Sequence, residues 1–95
     1  MVPDIHEISG INNVKEKQEK DRILYLKDGK TFLVVNKNTI EVRCDYELSK
    51  NLQEKYESVM ESRYFGRGGI EIVPTNQLKT DEIEDLVRLS YDLTS

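Results

Sequence analysis

Two arginines bracket a glycine-rich turn in Arg63-Tyr64-Phe65-Gly66-Arg67-Gly68-Gly69. Arginine forks suit phosphate, and glycines let a ligand approach backbone N–H groups closely. Tyr64 could stack on an unpaired base. A second reading stays open, in which Tyr64 and Phe65 plug a core and the glycines only make a bulge or turn. Lys27, Lys30 and Lys37 decorate two hairpin tips, and Arg43 lies on the outer face of a strand. These cations are either phosphate contacts or lysines that guard sheet edges against pairing.

The groups that usually carry catalysis are sparse. His6 is the only histidine and Cys44 the only cysteine, 38 residues apart, whereas a zinc site needs three or four such ligands. Cys44 alternates with Ile40 and Val42, so it points into the core and behaves as a small hydrophobe. Glu71, between Ile70 and Ile72, must face the other side of its strand and is expected on a solvated sheet face. No nucleophile–base pair or metal set is visible. A non-catalytic protein without cofactor or metal is therefore expected.

The elements that must position these residues follow from periodicity. Ile5, Ile8 and Ile11 recur at helical spacing, and Gly10 could end that short segment. Lys15 to Lys20, KEKQEK, offers nothing to bury and reads as a solvated loop or strand approach. Arg22 to Leu26 and Thr31 to Val35 are strands joined by Asp28-Gly29, a two-residue hairpin signal because both turn positions need positive φ. Asn36-Lys37-Asn38 makes a second turn. Thr39 to Cys44 then alternates, with Ile40, Val42 and Cys44 on one side and Thr39, Glu41 and Arg43 on the other.

Asp45 caps a helix expected to run to about Glu61, with Leu48, Leu52, Tyr56, Val59 and Met60 as its apolar stripe. Ile70 to Val73 resumes as a strand that Pro74 ends. A last helix is capped by Thr80 or Asp81, with Asp81 and Glu84 fitting a capping box. Ile83, Leu86, Val87, Ser90 and Tyr91 form its inner stripe. Strands grouped before helices predict an α+β fold: an antiparallel sheet, a three-strand meander plus at least one further strand, with two main helices on one face.

Ninety-five residues at 37% hydrophobic and 34% charged content make one small domain, spanning 1–95. Net charge is −4, and residues 80–95 hold five acids against one base, so the last helix carries all of it. Four of those acids lie near its start, where the helix dipole favours them. No apolar run approaches a membrane span. The start shows no signal-peptide pattern, and a single cysteine suits a reducing, cytoplasmic setting.

Three local motifs in order resemble the MmcQ/YjbR family of small proteins described as DNA-binding, with a compact frataxin-like α+β arrangement. They are Lys27-Asp28-Gly29-Lys30-Thr31-Phe32, Val42-Arg43-Cys44-Asp45-Tyr46-Glu47-Leu48 and Leu89-Ser90-Tyr91-Asp92-Leu93. The resemblance covers about residues 11–94. The family's N-terminal helix is mostly absent here. Its histidine, asparagine, lysine and tryptophan before the last strand are replaced by the Arg63–Gly69 segment, and the chain has no tryptophan. The resemblance implies DNA binding, for which Lys27, Lys30, Lys37, Arg43, Arg63, Tyr64 and Arg67 are the expected contacts. The alternative is a protein-interaction or self-associating module that uses the open sheet face or edge.

Overall fold

The computed structural model describes Ile5, Ile8, residues 10–75 and residues 77–94; His6 lies outside them. Eight elements follow in order: β1 (Val14–Glu19), β2 (Arg22–Lys27), β3 (Lys30–Asn36), β4 (Ile40–Arg43), α1 (Tyr46–Lys55), β5 (Val59–Ser62), β6 (Gly66–Ile72) and α2 (Thr80–Leu93). The strands form one antiparallel sheet in the order β1-β2-β3-β4-β6-β5. Both helices lie on one face, α1 against β5 and β6 and α2 against β3 and β4. This is the α+β architecture that the element order predicts.

Local chemistry explains most boundaries. Asp28 and Gly29 both have positive φ, at 51° and 82°, which matches the right-handed twist of the β2–β3 hairpin. The β3–β4 turn closes with the Asn36 N–H donating to the Thr39 carbonyl at 2.8 Å. The Asp45 carboxylate accepts the Leu48 N–H at 2.9 Å and starts α1.

Three expectations are corrected. KEKQEK, expected as a solvated loop or strand approach, is itself mostly strand: Val14–Glu19 pairs along its whole length with β2, so its charged side chains are those of an edge strand. The first helix does not reach Glu61. It ends at Lys55, Tyr56 turns extended (φ −127°, ψ 125°), and Val59 faces Ile72 across β6 instead of completing a helical stripe. A buried partner across the sheet outweighs the weak helical preference of Ser58 and Val59. The α2 cap is also one residue earlier than expected. Thr80 is already helical, and the Glu82 carboxylate, not Glu84, reaches back to the Lys79 N–H at 3.1 Å.

The helix-side core gathers Phe32, Leu33, Ile40, Val42, Cys44, Val59, Ile70, Ile72, Ile83 and Val87, with Ile5, Ile8 and Ile11 closing one end. Ser90, fully buried at 0% exposure, joins α2 to the sheet. Its hydroxyl donates to the Phe32 carbonyl and accepts the Arg43 N–H at 2.7 Å. Tyr91 packs edge-on against Phe32, with centroids 5.2 Å apart, and its hydroxyl donates to the Asn12 carbonyl at 2.8 Å. The Ser90-Tyr91 pair therefore clamps the last helix onto the sheet.

Candidate nucleic-acid interface

Period-two alternation places Lys17, Leu24, Val34, Glu41, Glu71 and Met60 in one row across the sheet, on the face away from the helices. Leu24 and Val34 are buried yet stand outside the helix-side core, so this second face has a cover of its own. That cover is the β5–β6 connection. After Ser62 the chain folds back, and Arg63, Tyr64 and Phe65 form a strap over the sheet.

Two carboxylates anchor the strap. Glu41 and Glu71 are each only 2% exposed, which corrects the expected solvated position of Glu71. Glu41 accepts from the Ser62 hydroxyl at 2.7 Å, the Tyr64 N–H at 2.9 Å and the Asn36 amide at 2.8 Å. Glu71 accepts a two-pronged Arg63 guanidinium, Nε at 2.9 Å and Nη2 at 2.7 Å, and the Thr39 hydroxyl at 2.7 Å. Burial pushes the Glu71 carboxyl up, but the Arg63 and Thr39 hydrogen bonds outweigh it and hold the group below the usual carboxylate range. Ser62 closes the circuit by accepting the Phe65 N–H at 2.8 Å. With their oxygens answered this way, both acids hold the strap against the sheet.

The strap's rings make a ladder with two arginines. The Arg22 guanidinium lies 5.2 Å from the Tyr64 ring, Tyr64 meets Phe65 edge-on at 4.9 Å, and Arg43 lies 4.9 Å from the Phe65 ring. Tyr64 and Arg43 are both tied to Thr31, through its hydroxyl at 3.1 Å and its carbonyl at 2.8 Å. Phe65 sits over Gly69, where an added Cβ would lie 2.7 Å from the Phe65 Cβ and 2.5 Å from the Val42 carbonyl oxygen. The close approach that this glycine permits is thus made by the protein's own phenylalanine.

Of the seven residues expected from sequence, Arg43, Arg63 and Tyr64 share this face, and Arg67 lies at its end on β6. Arg67 is exposed, beside the point where the register of β6 against β5 shifts. Lys27 does not belong to it. Its ammonium donates to the Tyr91 carbonyl at 2.9 Å and lies over the Tyr91 ring at 4.2 Å, on the helix side at the end of α2. Lys30 and Lys37 flank opposite ends of the seven-residue β3, roughly 20 Å apart at the rise of a strand. The two hairpin tips therefore stand at opposite ends of β3 rather than side by side.

Sequence reasoning passes over three cations that do join the face: Lys15, Lys17 and Arg22. The signal for them is the alternation of KEKQE itself, which puts Lys15 and Lys17 on one side and Glu16 and Gln18 on the other. With these, the face and its β6 end carry six cations (Lys15, Lys17, Arg22, Arg43, Arg63, Arg67) against Glu19, Glu41 and Glu71, an excess of three. The acids of α2 lie on the opposite side of the sheet. Arg22 also contacts Glu19 at 2.6 Å.

Other chemistry finds little footing. Among the described residues no group of three His, Cys, Asp or Glu side chains could hold a metal ion, and no helix is long and apolar enough to cross a membrane. Cys44 is free and buried, and burial pushes its thiol up to about 11. No family model matches the chain, and neither a curated protein nor a solved structure is found that matches it.

Proposed function

We propose that the chain is a non-catalytic module that binds single-stranded nucleic acid across the sheet face opposite its helices. The observation that carries this reading is the Arg22–Tyr64–Phe65–Arg43 ladder, set among further cations. Tyr64 is 39% exposed, so part of its ring remains open to a base. Base–aromatic stacking tolerates any sequence, and neighbouring cations follow the phosphates. From β1 to β6 the cations span four strand spacings, about 19 Å, enough for a few nucleotides.

The resemblance to the MmcQ/YjbR family supports the same ligand class, and a cytoplasmic setting accords with it. Arg63 is committed to Glu71 and serves the reading as a positioning residue for the strap, while Arg67, Lys15 and Lys17 are the exposed phosphate contacts. The contact set differs from the sequence expectation in dropping Lys27 and separating Lys30 from Lys37.

Fluorescence anisotropy of a labelled oligothymidine and of a duplex, each at low and moderate salt, tests this. The single strand is expected to bind more tightly. Its log affinity should fall with log salt by about 0.7 per phosphate contacted, and Arg67→Glu should flatten that slope by a similar amount. No binding of either probe at low salt by folded protein would overturn the proposal.

A further inference from the structure

The helix side carries a different surface. Between α1 and α2 opens a groove of about 250 Å³, floored by Leu52, Tyr56, Leu78 and Leu86. Glu82 and Asp85 form its α2 rim, and Lys55 stands on the α1 rim with its ammonium over the Tyr56 ring. The Tyr56 hydroxyl reaches Glu82 at 3.5 Å, which fixes the spacing of the two helices here.

We propose that this groove receives an apolar anchor side chain from a lysine- or arginine-rich segment of a partner protein. The volume falls below the ~300–1,000 Å³ of small-molecule pockets and suits one large side chain delivered by a peptide. The charge selects what flanks that anchor. Asp81, Glu82, Glu84 and Asp85 crowd the first half of α2, with Arg88 as the one base on that helix, engaged with Asp85 at 2.8 Å. A polyanion is repelled by this rim, whereas a basic segment meets complementary charge on approach. The partner surface is thus separate from the basic sheet face, and the two can be occupied together.

The test adds a short amphipathic leucine–lysine peptide, and its leucine–glutamate counterpart, to isotope-labelled protein and follows amide shifts by NMR. The lysine peptide is expected to move Leu52, Tyr56, Leu78 and Leu86 while leaving Arg67 and Gly69 unmoved. Asp85→Lys should weaken its binding about tenfold, and Asp81→Lys should weaken it less. Both side chains are exposed, so a dispersed spectrum will report that each variant is folded. Arg67→Glu should leave peptide binding unchanged, which separates failure here from failure of the nucleic-acid reading. Equal binding of both peptides, shifts confined to the sheet face, or undiminished binding by the folded lysine variants would overturn the proposal. So would shifts that grow with protein concentration alone, since the occupant would then be a second copy of this chain.

Discussion

Glu41 and Glu71 are direct cross-strand partners on β4 and β6, both buried on the same face, yet among the described residues only Glu71 accepts hydrogen bonds from a charged side chain. Glu41 is satisfied by neutral donors alone, a hydroxyl, an amide side chain and a backbone N–H. Each acid holds a different residue of the strap, so the cover of the second face depends on the pair.

Acid should therefore loosen the strap. The Glu71 carboxyl is held below its ordinary value in the folded state, so its contribution to stability is present above the unfolded-state value and lost as pH falls through the folded one. Urea unfolding at a series of pH values is expected to show stability falling through the acidic range, with a shallower fall in Glu71→Gln. An identical pH dependence in the variant would exclude Glu71 as its source.

Ser62→Ala removes a donor to Glu41 and an acceptor for the Phe65 N–H in one step. The expected loss is about 2 kcal/mol, because a buried carboxylate oxygen and a half-buried amide each lose a partner. On the proposed function, nucleic-acid affinity should fall as well, since Tyr64 and Phe65 lose their fixed pose. Chemical denaturation and anisotropy on one sample check both.

Gly69→Ala places a methyl against the Val42 carbonyl and Phe65. Neither neighbour is the free end of a flexible side chain, so the substitution should cost about 1–3 kcal/mol. Gly69→Ala with Phe65→Leu should recover part of the loss, which a double-mutant cycle would measure.

Ser90→Ala should be among the most damaging single-atom deletions, at about 2–4 kcal/mol. It leaves the Phe32 carbonyl and the Arg43 N–H without their partner in the interior. Thermal denaturation of Ser90→Ala, with Ser49→Ala as a second buried-serine control, provides the comparison.

Cys44 should resist thiol reagents at neutral pH in the native state. It is buried and its thiol is pushed up to about 11, so little thiolate exists to react. Labelling is expected only as the protein unfolds; rapid labelling without denaturant would contradict the buried position.

Local signals made much of this fold legible in sequence. Asp28-Gly29 specifies its turn through φ, Asp45 specifies a helix start, and Ile40-Val42-Cys44 specifies a buried face. What sequence hides is decided at long range. Val59 fits a helical stripe as well as a strand, and only the presence of Ile72 opposite it settles the matter. Glu71 reads as solvated because nothing local reveals that Arg63 and Thr39 will meet it. The basic residues are readable as types, but their convergence is not. Lys27 and Lys30 stay cross-strand partners, yet Lys27 is drawn to Tyr91 on the helix side, while Lys17 and Arg43 come to share a face because β1 and β4 belong to one sheet.

The clamp between Tyr91 and Asn12 joins positions 79 residues apart, and Ser90 reaches Phe32 across 58. During synthesis the meander of β1 to β4 emerges well before the helix that covers its apolar side. Until Ile83, Val87 and Ser90 arrive, Phe32, Ile40 and Val42 lack the cover that α2 gives β3 and β4, and closing so long a loop carries an entropic cost. The nascent chain thus passes through an interval with a bare hydrophobic sheet, the kind of surface that holdase chaperones and aggregation compete for.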